Sequence, residues 1–433
     1  MKIALLTEKY TPDIGGLAIS SERLARLLTS AGHEVRVFAP TGSLLPSERR
    51  THPSNGVAVT RFGAHKRTDD TLADWFEIIV DEHRREPFDL LHAYFLTQAG
   101  FIATYAGKYL SLPSVVSIRG NDIDRAAFDP SKFSHFMYAL QQANAATTNA
   151  QVLVNKAKAL ADREIFLIPN GVDTGHFKPM EKNLVIAESL GLGRSVTLSE
   201  AKGLAASRRD SPRHLRPGQV SLPLVAQNDT IPVMGFVGEL REKKGLKPLL
   251  SAFTRVNKLQ PVALLVVGEV RQGEDKRFFD EFMSTNPAAR VIVTGYVSPQ
   301  DLPPYYSLID VFVHPSLRDG MPNALLEAMA CERAIVATPV GGALDVLTDG
   351  KNGMLVHVND ADALAEKIMD LLEHPEKRKI LGKNARESIV DRFTTEKELE
   401  ANLSVYRKLG LQSAVVEQRR WRVSRPPNPI GEG

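Results

Sequence analysis

Three stretches of the sequence hold residue types that could do chemistry at a useful spacing. The densest runs His314-Pro315-Ser316-Leu317-Arg318-Asp319-Gly320-Met321-Pro322-Asn323-Ala324-Leu325-Leu326-Glu327. An apolar run ends at His314, Gly320 and Pro322 mark a loop, and a helix is expected from Asn323. Asp319 then lies in the loop. Glu327 lies one turn into the helix, on the face of Asn323. Two carboxylates would flank a helix N-terminus able to hold phosphate. A carboxylate that accepts from vicinal hydroxyls suits a ribose or another sugar. The plain alternatives are a turn aspartate and a surface helix glutamate, and a place at the carboxyl end of a strand weakens both.

The second stretch is Gly238-Glu239-Leu240-Arg241-Glu242-Lys243-Lys244-Gly245, between a strand candidate and the helical pattern Leu246–Val256. Cations beside a helix N-terminus suit a diphosphate, and a solvated charged loop is the bland reading. The third is Gly15-Gly16, between the strand Lys2–Thr7 and a helix near Ser20. Backbone amides can approach an anion closely in such a turn, although many such turns only connect. There is no G-x-G-x-x-G, so the dinucleotide fingerprint is missing. Of two Asp-x-Asp matches, Asp360-Ala361-Asp362 opens a helix and reads as a cap, and Asp122-Ile123-Asp124 follows Arg119-Gly120-Asn121. No metal site is expected. No His-Glu-x-x-His motif or serine elbow is present.

The elements that must position these residues follow from hydrophobic periodicity. Strand candidates in the first half are Lys2–Thr7, Glu34–Ala39, Val57–Phe62, Asp89–Ala93, Ser114–Ile118 and Ile165–Ile168. In the second half they are Pro232–Val237, Ala263–Val267, Arg290–Thr294, Val311–His314 and Ala334–Ala337. Several are apolar on both faces, as strands covered on both sides must be. Helical patterns lie between them. Leu24, Leu27, Leu28 and Ala31 follow the helical spacing, and Gly32 supplies the stop. This alternation predicts parallel, doubly wound sheets. The fold class expected is α/β, with two tandem Rossmann-like domains and no sequence repeat between them.

At 433 residues the chain has room for two or three domains. Lysine and arginine exceed the acids by 54 − 51 = 3, far from the footprint of a nucleic-acid binder. The single Cys331 excludes an internal disulfide and fits a reducing compartment. No apolar run reaches the ~18–20 residues that span a bilayer. The N-terminal apolar stretch is too short for a secretory signal. A cytoplasmic protein is expected. Residues 181–230, with four glycines and no convincing period, read as a flexible insertion between the halves, or as a surface loop with a strand near Val220–Val225. The tail 411–433 carries Arg419, Arg420, Arg422 and Arg425 and reads as a disordered basic segment. Peripheral membrane contact through it stays open.

Taken in order, these pieces resemble the retaining glycosyltransferases of the GT-B fold in family 4, the "group 1" glycosyl transferases. The resemblance rests on Gly15-Gly16-Leu17, on Ile168-Pro169-Asn170-Gly171-Val172-Asp173, and on Lys244-Gly245. It continues through Asp319 and Glu327, whose seven intervening residues match the E-x7-E motif, Val340-Gly341-Gly342, and Asp349-Gly350-Lys351-Asn352-Gly353. It implies two Rossmann-like domains with a cleft between them. Residues 1–170 would bind the acceptor, with acceptor pockets in variable loops such as Thr41–Asn55 and Phe128–Phe136; residues 231–393 would bind the nucleotide-sugar, and a final helix at 394–410 would cross back to the first domain.

The resemblance assigns Lys244 to the diphosphate, Asp319 to the transferred sugar and Glu327 to the ribose hydroxyls. The amides of Gly15 and Gly16 would meet phosphate or sugar across the cleft. Arg241, Gly320, Asn323 and Ala324 complete the expected donor site. Three departures stand out. Asp319 replaces the usual glutamate and is one methylene shorter. Glu239 stands where the family often has arginine, with Arg241 as a substitute. Arg119-Gly120-Asn121-Asp122 replaces a His-Gly-x-Asp stretch, so Arg119 would contact donor phosphate and Asp122 a hydroxyl. The expected activity is metal-independent, retaining transfer of a sugar from a nucleotide-diphosphate sugar, without a cofactor, to a glycan, lipid or small-molecule acceptor. The competing readings are a non-catalytic nucleotide-sugar-binding protein and a phosphorylase or epimerase of the same fold. Nucleic acid is not an expected partner.

Overall fold

The computed structural model describes residues 1–192 and 231–411. These divide into two compact units. The first comprises 1–147, 157–166 and 399–411; the second comprises 148–156, 167–192 and 231–398. The last helix, Thr395–Lys408, thus begins among residues of the second unit and ends among those of the first. Both units are α/β, as the alternation of apolar runs and amphipathic stretches requires.

The sheet of the first unit holds β1 (Lys2–Thr7), β2 (Glu34–Pro46), β3 (Arg49–Ser54), β4 (Val57–Gly63), β5 (Leu90–Tyr94), β6 (Ser114–Ile118), β7 (Ala145–Thr148) and β8 (Ile165–Leu167). Its order is β3-β4-β2-β1-β5-β6-β7-β8. β1 pairs in parallel with β2 and with β5, so the order reverses at β1/β5. Ile3, Ala4, Leu5 and Leu6 are fully buried because helices cover both faces. After β1 the chain turns at Gly15 (φ 134°) into the helix Gly16–Ser30, which buries Leu24, Ala25 and Leu28. A polar network lies in this core. His92 on β5 bonds Tyr406 Oη through Nδ1 at 2.6 Å and Ser117 Oγ through Nε2 at 2.8 Å. Burial pushes this imidazole down to about 3, which keeps it neutral.

The sheet of the second unit holds β9 (Val233–Val237), β10 (Ala263–Val267), β11 (Val291–Val293), β12 (Val311–His314), β13 (Ala334–Ala337) and β14 (Met354–Leu355). Its order is β11-β10-β9-β12-β13-β14, and the pairs from β11 through β14 are parallel. Side chains alternate along β9. Val233 and Val237 join one apolar cluster and Met234 and Phe236 the other, so the sheet is packed on both faces.

Four expectations need correction. The stretch 41–55, read as a loop, is largely sheet: β2 runs on to Pro46, and β3 pairs antiparallel with β4. Its polar sequence hid it, because an exposed edge strand has no apolar period to show. Residues 128–136, also read as a loop, lie mostly in the helix Pro130–Gln142, which Asp129 caps through Ser131 N at 3.1 Å. The start of the segment read as a flexible insertion forms the helix Leu184–Ser189, capped by Asn183 and anchored where Lys182 pairs with Asp310 at 2.9 Å. The strand β7, four small residues, and the strand β14, two residues long, are too short to show in the sequence. The rest of the insertion, including Val220–Val225, and the arginine-bearing tail lie outside the described residues.

Candidate functional site

In the second unit the strand order reverses between β9 and β12, and open α/β sheets bind ligands beyond the carboxyl ends of the strands at such a point. The two cation-rich and acid-rich stretches are the loops that leave these two neighbouring strands. After β9 the chain makes a single 3-10 turn, Glu242–Lys244, closed by Gly245 at φ 83°. After β12 it runs through His314 and Asp319 to the helix Asn323–Ala330. Leu317 N donates to Lys243 O at 2.9 Å, tying one loop to the other.

Gly245 makes this approach feasible. A Cβ at that position would lie 2.0 Å from Pro315 O, and its φ already disfavours any other residue. Gly341 does the same on the other side: its φ is 56°, and a Cβ would fall 2.0 Å from Asp319 O. Gly342 N donates to Gly320 O. The glycines of the Val-Gly-Gly motif therefore serve to press the β13 loop onto the acidic one. Gly245→Ala combines left-handed strain with a backbone clash and is expected to cost about 2 kcal/mol or more. Thermal unfolding checks this; a melting temperature equal to that of the wild type would show that the two loops do not depend on their close approach.

This packing brings Lys244 and Asp319 into direct ion pairing, 75 residues apart in sequence. Asp319 also accepts from Gly320 N at 3.0 Å through Oδ1, and its Oδ2 lies 3.5 Å from His314 Nε2. Burial alone would raise this carboxyl. The Lys244 ammonium and His314 outweigh burial and hold it well below the usual carboxylate range, so it is ionised. Burial lowers Lys243, assisted by Lys244, Arg241 and Arg318, and Asp319 opposes the shift. Arg241 pairs with Glu239 at 3.0 Å, so the glutamate that departs from the family pattern has a counter-charge of its own.

Glu327 is not a surface residue. It is 9% exposed, and Tyr306 Oη donates to its Oε2 at 2.7 Å. Burial and the adjacent carboxylate raise the Tyr306 hydroxyl well above its ordinary value, so it remains a donor. Asn323, on the same helix face, accepts from Asn170 Nδ2 at 2.9 Å, and the same Nδ2 reaches Met321 O at 3.2 Å. The Asn170 of the Pro-Asn-Gly stretch thus steadies the first turn of the helix. Gly320 and Ala324 flank that turn, and Ala324 O accepts a second contact from Tyr306 Oη at 3.2 Å.

The remaining expected residues belong to the first unit. Gly15 and Gly16 have nothing within 4 Å of where a Cβ would stand, so their backbone is open to approach. The Arg119 guanidinium lies 3.8 Å from the centroid of the Tyr94 ring. Asp122 is 1% exposed, and its carboxylate accepts from the amides of Leu96 (3.2 Å), Arg119 (3.0 Å), Gly120 (2.8 Å) and Ile123 (3.1 Å). Burial raises it to about 6 against these four amides. These bonds tie together the loops after β5 and β6.

Sequence reasoning missed His314, Tyr306 and Asn170 as parts of the site. His314 reads as the polar end of an apolar run and Tyr306 as one core aromatic among many. Among the described residues, no cluster of three or more His, Cys, Asp or Glu is arranged to hold a metal ion, and no helix is long and apolar enough to cross a membrane.

Comparison with known proteins places this geometry in a family. Residues 225–388 match the family described as "Glycosyl transferases group 1", and residues 14–176 match "Glycosyltransferase Family 4". The capsular polysaccharide biosynthesis glycosyltransferase CapM of Staphylococcus aureus is 33% identical over 184 residues, which are 41% of this chain and 47% of that protein. The chain thus spans about half the length of that relative. The N-acetyl-alpha-D-glucosaminyl L-malate synthase of Bacillus anthracis is 22% identical over 403 residues, 91% of this chain and 94% of the relative. The Anabaena HepE structure in complex with UDP shares the fold at a TM-score of 0.73 and 18% identity, covering 94% of this chain and 100% of that one. With both units matched in order and the whole fold shared, the chain belongs to the group 1, family 4 glycosyltransferases of the GT-B fold.

Proposed function

We propose that this glycosyltransferase moves a sugar, with retention, from a nucleotide-diphosphate sugar to a hydroxyl of a glycan, lipid or small-molecule acceptor. The observation that supports the reading is the Lys244–Asp319 ion pair in the loop leading into the helix Asn323–Ala330, together with Glu327 of that helix, buried against Tyr306. In this reading the second unit takes the donor. Glu327 accepts from the ribose hydroxyls, with Tyr306 fixing its other demand. Lys244, Arg241 and the amides of the Gly320–Ala324 turn meet the diphosphate. The UDP and UDP-glucose complexes of HepE, which shares the fold, support a nucleotide-sugar donor.

Chemically, the bond from the anomeric carbon to the diphosphate oxygen breaks, positive charge develops on the sugar, and negative charge gathers on the departing oxygen. Preorganised cations and amides stabilise that oxygen more in the transition state than in the ground state. Asp319 faces the transferred sugar. The acceptor oxygen attacks the face the diphosphate leaves, which preserves configuration, and its proton departs with the leaving group. The first unit is assigned the acceptor, with Gly15 and Gly16 as an anion-accepting turn, Arg119 as a phosphate-binding cation and Asp122 as an acceptor from a substrate hydroxyl. The cations already present let the diphosphate leave without a metal.

A thermal-shift series with UDP-glucose and other nucleotide-sugars, run with and without EDTA, tests the donor half. Ligand that binds only the native state raises the melting temperature by mass action. The donor should do so equally in EDTA, and product should form from it. A shift with any nucleotide-sugar that disappears in EDTA would overturn the metal-free reading, and no shift with the whole series would overturn the donor assignment.

A further inference from the structure

His314 ends β12 with its side chain 3% exposed and its imidazole nearly parallel to the Phe312 ring, at 11° and 6.4 Å between centroids. Neither ring nitrogen makes a hydrogen bond of ordinary length to a described residue. A buried polar group without a partner is costly, and such groups in native proteins call for an explanation. Its Nε2 lies 3.5 Å from Asp319 Oδ2. The charged groups acting on it are Asp319, from its own loop, and Lys244, from the loop after β9.

The same Asp319 oxygen already holds Lys244. In the proposed reaction Lys244 must serve the diphosphate. A buried carboxylate would then lose its counter-charge while a polyanion sits beside it, and breaking a buried pair is among the costlier changes a site can undergo. A donor that carries no charge would solve this, because it would not compete with Lys244 for the diphosphate.

We propose that His314 is a positioning residue of this transferase: when Lys244 turns to the donor diphosphate, the neutral imidazole donates its Nε2–H to Asp319 and keeps that carboxylate ionised and aimed at the sugar. The inference rests on the donor site assigned above. It assigns the tautomer, with Nε2 protonated and Nδ1 bare. It explains why the contact is long while Lys244 holds the same oxygen. Burial keeps the ring neutral, which stops it from becoming a second cation in competition with Lys244.

The test separates this role from packing and from the donor reading. Lys244→Ala mimics the departed lysine without any ligand. In that background, thermal unfolding is measured from pH 4 to 7 for His314→Gln and His314→Leu, neither of which titrates. If the imidazole position serves Asp319, the glutamine variant melts above the leucine variant at pH 7. The gap closes toward pH 4 as Asp319 takes a proton, and it vanishes when Asp319→Asn is added. A gap that is independent of pH, or that survives Asp319→Asn, overturns the proposal. In the otherwise unaltered enzyme with UDP-glucose, His314→Leu should move the acid limb of kcat up by about one pH unit, with the glutamine variant close to wild type. Parallel profiles for the two variants also overturn it. If no nucleotide-sugar is turned over by the wild type while the gap behaves as stated, the donor reading fails and the positioning role stands.

Discussion

Lys244→Ala is expected to lower the rate of sugar transfer at saturating donor by about a hundredfold or more, the scale seen when one preorganised group is removed from a developing anion. Two losses combine. The departing diphosphate oxygen loses a cation placed at the carboxyl end of β9, where the 3-10 turn and Gly245 fix it. Asp319 loses its ion pair and stays buried near the same phosphates, so the variant adds repulsion to the missing attraction. Lys244→Arg keeps the charge on a differently shaped head and should recover only part of the rate. Steady-state product formation under donor saturation measures this. Transfer within tenfold of the wild type for the alanine variant would remove Lys244 from the site.

Glu327→Ala should be nearly as severe but should act on a different quantity. A buried carboxylate that accepts from sugar hydroxyls makes charge-assisted hydrogen bonds, worth about 1.5–3 kcal/mol each. Their loss should raise KM for the donor by about 10- to 100-fold, with a smaller change in kcat, because ribose binding is shared by the ground and transition states. The variant also strands the Tyr306 hydroxyl, whose bond to Oε2 is 2.7 Å, and so should lose stability. Glu327→Gln separates the two effects. Its carbonyl oxygen can still accept from Tyr306, so it should melt near the wild type and yet bind the donor poorly. Donor affinity by calorimetry and melting by scanning calorimetry give both readings, and a glutamine variant with unaltered donor affinity would place the ribose elsewhere.

The strands legible in the sequence share one property. Ser114–Ile118, Ala263–Val267, Val311–His314 and Ala334–Ala337 are buried throughout and mostly apolar, so burial on both faces left a nearly continuous hydrophobic signal. The helix from Asn323 was legible because Gly320 and Pro322 break the chain just before it. Asp360 was readable as a cap, and its side chain does accept from Ala363 N at 2.9 Å. Where that signal is absent, reading failed. Arg49–Ser54 is an exposed edge strand with hardly an apolar residue, and Met354–Leu355 is two residues long.

The candidate site divides along the same line. Residue types and spacing alone determined that Asp319 and Glu327 bracket a helix N-terminus and that Lys243, Lys244 and Arg241 follow a strand, since those relations span fewer than ten residues of chain. Only the tertiary structure decided that Lys244 grips Asp319, that Arg241 takes Glu239, that Tyr306 holds Glu327 and that His314 waits beside Asp319. It also decided that Asp122, promising as a lone acid, spends its oxygens on backbone amides. Local pattern carries the period of an element and the place where it stops. It carries no record of which strand lies beside which, and the pairing of β9 with β12 is what sets two loops 75 residues apart against each other.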